Sequence, residues 1–99
     1  MTLCPAPANR GVIFRRTDLP GAPTIEARPK YVVDTQNATT IAKDGVSVRT
    51  IEHLMSALSG MGLDNVQVDL TGPEVPILDG SAAPFVELLR QAGLRRQFA

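Results

Sequence analysis

Cysteine occurs once, at position 4, so the chain can form no intrachain disulfide, and a reducing compartment is the default expectation. Histidine also occurs once, tryptophan is absent, and aromatic residues make up 4% of the chain. Charge of one sign is missing too. Ten basic and ten acidic residues cancel, which removes the electrostatic reason to expect nucleic acid or an anionic membrane as a partner. The one local excess, Arg90, Arg95 and Arg96, suits the C-terminal end of a helix followed by a solvated tail. No apolar run approaches the roughly 18 residues of a spanning helix, so no transmembrane segment is expected. The opening stretch MTLCPAPANR lacks the charged-then-apolar pattern of a signal peptide. A cytoplasmic location follows as an expectation.

What is present suits one small globular domain covering residues 1–99. Apolar residues reach 43%, enough for a modest core and too many for a disordered chain. Residues 1–6 (MTLCPA) and 12–17 (VIFRRT) read as strands around PANRG, which suits a hairpin loop. LPGAP at 19–23 is a loop. KYVVD (30–34) and NATTIA (37–42) have strand composition, and KDG (43–45) turns the chain into VSVR, with Val46 and Val48 on one side. Thr50 is placed to cap a helix that runs to Gly60 or Gly62, and NVQVDL (65–70) follows as a strand with Val66, Val68 and Leu70 on one face. After TGPEVPILDG, Ser81 can cap a second helix, with Phe85, Leu88, Leu89 and Ala92 as its apolar stripe and Gly93 as its end. The predicted class is α+β: one small antiparallel or mixed sheet with two helices packed on one face.

In the first helix, Ile51, Leu54, Met55, Leu58 and Met61 share the face that a period of about 100° per residue assigns to the core. Glu52 and His53 fall off that face, on the side of Ser56, Ala57, Ser59 and Gly60. Two readings stand at this point. The plainer one, and the commoner situation for charged residues on a polar face, is a glutamate on the helix dipole beside a solvated histidine. The other is metal-assisted hydrolysis, in which a neutral imidazole holds zinc and the neighbouring carboxylate takes a proton from the attacking water. Short zinc motifs do not fit. H-E-x-x-H lacks its second histidine, and the inverted form would need histidine where Arg49 stands. A catalytic zinc takes three protein ligands, so the others would have to lie outside this chain.

TIEHLMSALSGMGLDN, then GPEVPILDGSAAPFVELL, together with TLCPAPANRGVIFRRTDL and GVSVRTIEH, resembles the first domain of the UDP-3-O-acyl-N-acetylglucosamine deacetylases. These are zinc enzymes of lipid A biosynthesis in bacteria with an outer membrane. The resemblance covers nearly the whole chain. It implies two similar α+β domains with the site in the cleft between them and UDP-3-O-acyl-N-acetylglucosamine as substrate. By the same resemblance His53 is the Zn²⁺ ligand given by the first domain and Glu52 the general base. Residues 37–40 (NATT) match a segment lining the cleft, which makes Asn37, Ala38 and Thr39 candidate substrate contacts. Many members have leucine-cysteine where this chain has Asn37 and Ala38. On composition alone Thr39 and Thr40 are strand residues, and PEVPILDGSAAPF is a stiffened loop, a turn and a helix cap.

The resemblance also implies a strand and a glycine-rich turn ahead of TLCPAP, and a second domain supplying the remaining zinc ligands. Neither is in this sequence. The chain therefore reads as a fragment of the enzyme, inactive by itself, whose partner is a missing or separately encoded second domain. A second reading is a non-catalytic remnant or interaction module that keeps the fold.

Overall fold

A computed structural model describes residues 1–34 and 38–76. Seven strands and one α-helix are found there: β1 (Thr2–Pro5), β2 (Val12–Arg16), β3 (Thr24–Glu26), β4 (Val32–Asp34), β5 (Thr40–Lys43), β6 (Val46–Arg49), α1 (Glu52–Gly60) and β7 (Val66–Leu70), with a 3-10 turn at Pro29–Tyr31. The second helix expected from Ser81 onward lies outside the described residues.

The expected single sheet is two. One has four strands in the order β1-β7-β2-β3, and the other is the meander β4-β5-β6. Alternation fixes which side chains of a strand share a face, but it leaves the choice of neighbouring strand open. The expected β1–β2 hairpin is likewise corrected. β7 lies between the two, antiparallel to β1 (Thr2↔Asp69 to Pro5↔Val66) and parallel to β2 (Val12↔Val66 to Arg16↔Leu70). Asn65, buried at the entry to β7, gives the reason. Its side-chain oxygen accepts the Gly11 N–H at 3.0 Å, and its backbone carbonyl accepts the Ala6 N–H at 3.3 Å. The 6–11 loop is thus spread around the start of β7, and its ends cannot pair with each other.

β2 and β3 form a hairpin through residues 17–23, which contains the loop expected at 19–23; Thr17, expected at the end of the strand, belongs to the connection. β3 itself is three residues long, too short to show a period. The β5–β6 turn is as expected: Asp44 (φ 53°) and Gly45 (φ 80°) both take the left-handed conformation of a tight hairpin turn. No atom would crowd a Cβ at Gly45, so backbone conformation alone sets the cost of replacing it. Gly45→Val should lower stability by about 1–2 kcal/mol and Gly45→Asn by clearly less, because asparagine tolerates this region. Urea midpoints of the two variants check this. Equal losses would assign the cost to the side chain instead.

Both sheets and α1 supply one apolar cluster. Phe14, Ile25, Val66, Val68 and Leu70 come from the four-stranded sheet, Ile41 and Val48 from the meander, and Leu54, Ala57 and Leu58 from the helix. Val66, Val68 and Leu70 face it together, as their alternation requires. Arg16 ties the sheets. Its guanidinium binds Asp18 through two bonds (2.9 and 2.7 Å) and donates to the Ser47 carbonyl on β6 at 3.0 Å. The same guanidinium holds the Asp18 carboxyl below the usual carboxylate range through its hydrogen bond.

Candidate functional site

α1 starts at Glu52, directly after the meander, with Thr50 and Ile51 as the link between them. The expected helix cap at Thr50 is not what forms. Ile51 stands at the cap position without a side-chain cap bond, and Thr50 takes φ 63°. In that conformation its hydroxyl turns from the helix and donates to Glu74 Oε2 at 2.7 Å. The N–H groups of Thr50 and Ile51 both donate to the Thr39 carbonyl, at 2.9 and 3.3 Å. The helical ladder begins with the Met55 N–H donating to the Ile51 carbonyl at 2.9 Å.

Glu52 and His53 form the first turn, both half-buried. A Glu52 carboxylate oxygen (Oε2) accepts the Thr39 N–H at 3.2 Å. The bond crosses thirteen residues of sequence and joins the start of the helix to the approach to β5. Two of the sequence candidates, Glu52 and Thr39, are therefore in direct contact, and Ala38 is next in the chain and half-buried. Asn37 lies outside the described residues. Thr39 takes part through its backbone, so its side-chain type is not what makes this contact.

The surface around the pair differs from expectation at one place. Ser56, Ser59 and Gly60 are exposed, but Ala57 is 1% exposed and belongs to the core. Ile51, Leu54 and Leu58 are buried as expected, with Met55 and Met61 packed partly against them. The apolar arc is thus wider than the Ile51–Leu54–Leu58 line. Ala57 fits within it because its methyl group allows close approach.

A carboxylate whose second oxygen is free of this contact can take a proton, and a half-buried imidazole can ligate a metal. Among the described residues no group of three or more His, Cys, Asp or Glu could hold a metal ion. His53 by itself is at most one ligand of a larger set. Among the described residues no helix is long and apolar enough to cross a membrane.

Two residues of this region carry contacts that their sequence context does not announce: Glu74 stands in a stretch that reads as a structural loop, and Thr50 reads as a cap. No sequence signal marks either one, because a left-handed threonine looks like any other threonine until the chain is folded.

The LpxC family pattern, described as UDP-3-O-acyl N-acetylglycosamine deacetylase, matches residues 1–99. A UDP-3-O-acyl-N-acetylglucosamine deacetylase of Myxococcus xanthus is 59% identical over 99 residues, covering 100% of this chain and 32% of the relative. Proteins of the same name from Acidithiobacillus ferrooxidans and Chromohalobacter salexigens are 56% and 54% identical, covering 98% and 100% of this chain and 32% and 33% of those relatives. The chain spans about a third of the length of these curated relatives. Matched from end to end, and with more than half its residues identical to such relatives, this chain belongs to the UDP-3-O-acyl N-acetylglycosamine deacetylase family.

Proposed function

We propose that this chain forms the first domain of a zinc-dependent deacetylase that hydrolyses the N-acetyl group of UDP-3-O-acyl-N-acetylglucosamine, releasing acetate and a free amine in lipid A biosynthesis. The observation that carries the reading is the adjacent Glu52–His53 pair in the first turn of α1, with Glu52 anchored on the Thr39 N–H, in a chain of this family.

His53 would hold the ion through one imidazole nitrogen, and the other ligands would come from a second domain beyond this segment. When bound, zinc supplies Lewis acidity to the acetyl carbonyl and to the attacking water. Glu52 is the general base. Its carboxylate accepts the proton that the water gives up as the amide carbon is attacked, and a proton must reach the nitrogen as the C–N bond breaks. Anchoring Glu52 on a backbone N–H restricts its rotamers, so the base is aimed before substrate arrives. Ala38, Thr39 and Asn37 are assigned to the substrate-facing wall of the cleft on sequence position. The setting is cytoplasmic, where a nucleotide-linked sugar is found.

The test is metal analysis beside acetate release in the full-length protein. His53→Ala should lose zinc and turnover together, with excess zinc restoring only part of the rate. A variant with full zinc content and full turnover would remove His53 from the metal site. Absence of acetate release from the unaltered full-length protein would favour the non-catalytic module.

A further inference from the structure

Thr50 carries φ 63°, a conformation that β-branched residues rarely adopt. Glycine takes it without steric cost, as Gly45 and Gly62 do nearby. A threonine at such a position points to a use for its side chain. Residues held this way persist only where their surroundings over-determine them, and they gather at functional sites.

The surroundings of Thr50 do over-determine it. The residue is 7% exposed. On one side, its hydroxyl donates to Glu74 Oε2 at 2.7 Å, while the Arg49 N–H donates to the Pro73 carbonyl at 2.7 Å and the Val75 N–H to the Arg49 carbonyl at 3.1 Å. The 73–75 segment is thereby strapped along the end of β6, with Val75 fully buried as its apolar anchor. The Arg49 guanidinium, 4.0 Å from the same Glu74 oxygen, adds a weaker partner. On the other side, the Thr50 N–H donates to the Thr39 carbonyl, and the Thr39 N–H donates to the Glu52 carboxylate. A continuous relay therefore runs from Glu74 through Thr50 and Thr39 to Glu52.

We propose that Glu74 and Thr50 are positioning residues for the Glu52–His53 pair: their hydrogen bond fixes the left-handed bend that aims the first turn of α1. The identity of the reaction they serve rests on the deacetylase reading above. Thr50 sits where the chain leaves β6 for the helix, so a change in its backbone angles swings Glu52 and His53 as a unit. Glu74 has no direct part in binding substrate or metal. It acts through Thr50.

The experiment uses the full-length zinc-loaded protein and compares Thr50→Gly, Glu74→Ala and Glu74→Gln. Thr50→Gly accepts the observed φ freely but removes the hydroxyl contact together with the buried Cβ and methyl group, so its thermal midpoint is measured beside the rate. Glu74→Gln keeps an acceptor for the Thr50 hydroxyl. The expected result is a kcat loss of about 10–100-fold in Thr50→Gly and Glu74→Ala, with KM little changed, and most of the rate retained in Glu74→Gln. The Thr39 amide resonance should move in the first two variants and stay in place in the third. Wild-type kcat in Thr50→Gly and Glu74→Ala would overturn the proposal, as would a Thr39 resonance that does not move. If the unaltered protein releases no acetate, the deacetylase reading fails by itself. The Thr39 resonance then decides the positioning role alone: a shift in the first two variants upholds it, and no shift overturns it.

Discussion

Under the proposed deacetylase role, Glu52→Gln in the full-length protein is expected to keep bound zinc while losing about 10²–10⁴-fold in turnover, the range of a missing general base. The substitution separates two functions of one side chain. Glutamine has the size of glutamate, and its amide oxygen can still accept the Thr39 N–H that the carboxylate accepts at 3.2 Å. The anchor at the start of α1 therefore survives, and with it the placement of His53. What is lost is the capacity to take a proton. If Glu52 served only the helix dipole, the change would cost about 0.3–1 kcal/mol of stability and leave the rate per bound zinc intact. Steady-state kinetics with parallel metal analysis distinguishes the two. Near-normal turnover at full zinc content would remove Glu52 from the mechanism.

Phe14→Ala should be the most damaging change to the fold, costing about 3–5 kcal/mol. Phe14 is fully buried on β2, and its register partners on either side, Ile25 on β3 and Val68 on β7, are buried as well. The three side chains form one row across the four-stranded sheet, so truncation opens a void that backbone pairing keeps from closing. Domains of this size hold about 5–15 kcal/mol in total, so such a loss removes a large share of it. The neighbouring residue provides the control. Arg15 points to the other face and pairs with Asp69 through two bonds (3.0 and 2.9 Å), with 39% of its side chain exposed. Arg15→Ala should cost about 1 kcal/mol or less. Denaturant midpoints measure both. A Phe14→Ala loss no larger than that of Arg15→Ala would mean that the core closes around the void.

Much of this protein is legible residue by residue. The alternation of Val66, Val68 and Leu70 marks a strand with one buried face, the spacing of Ile51, Leu54 and Leu58 marks a helix, and Asp44-Gly45 marks a tight turn. Each signal acts over a few residues, through side-chain period or allowed backbone angles, so no partner is needed to read it. The Glu52–His53 pair is legible for the same reason, since its two members are adjacent.

Tertiary structure decided the rest. β7 enters between β1 and β2 because Asn65 holds the 6–11 loop apart, and β3 exists because β2 offers it an edge. Thr50 reads as a cap, but Glu74, twenty-four positions away, draws its hydroxyl off the helix. Thr39 meets Glu52 across thirteen positions through a backbone N–H that every residue except proline carries. Such contacts leave no local pattern, because they are set by which distant groups the packed core brings within hydrogen-bond reach.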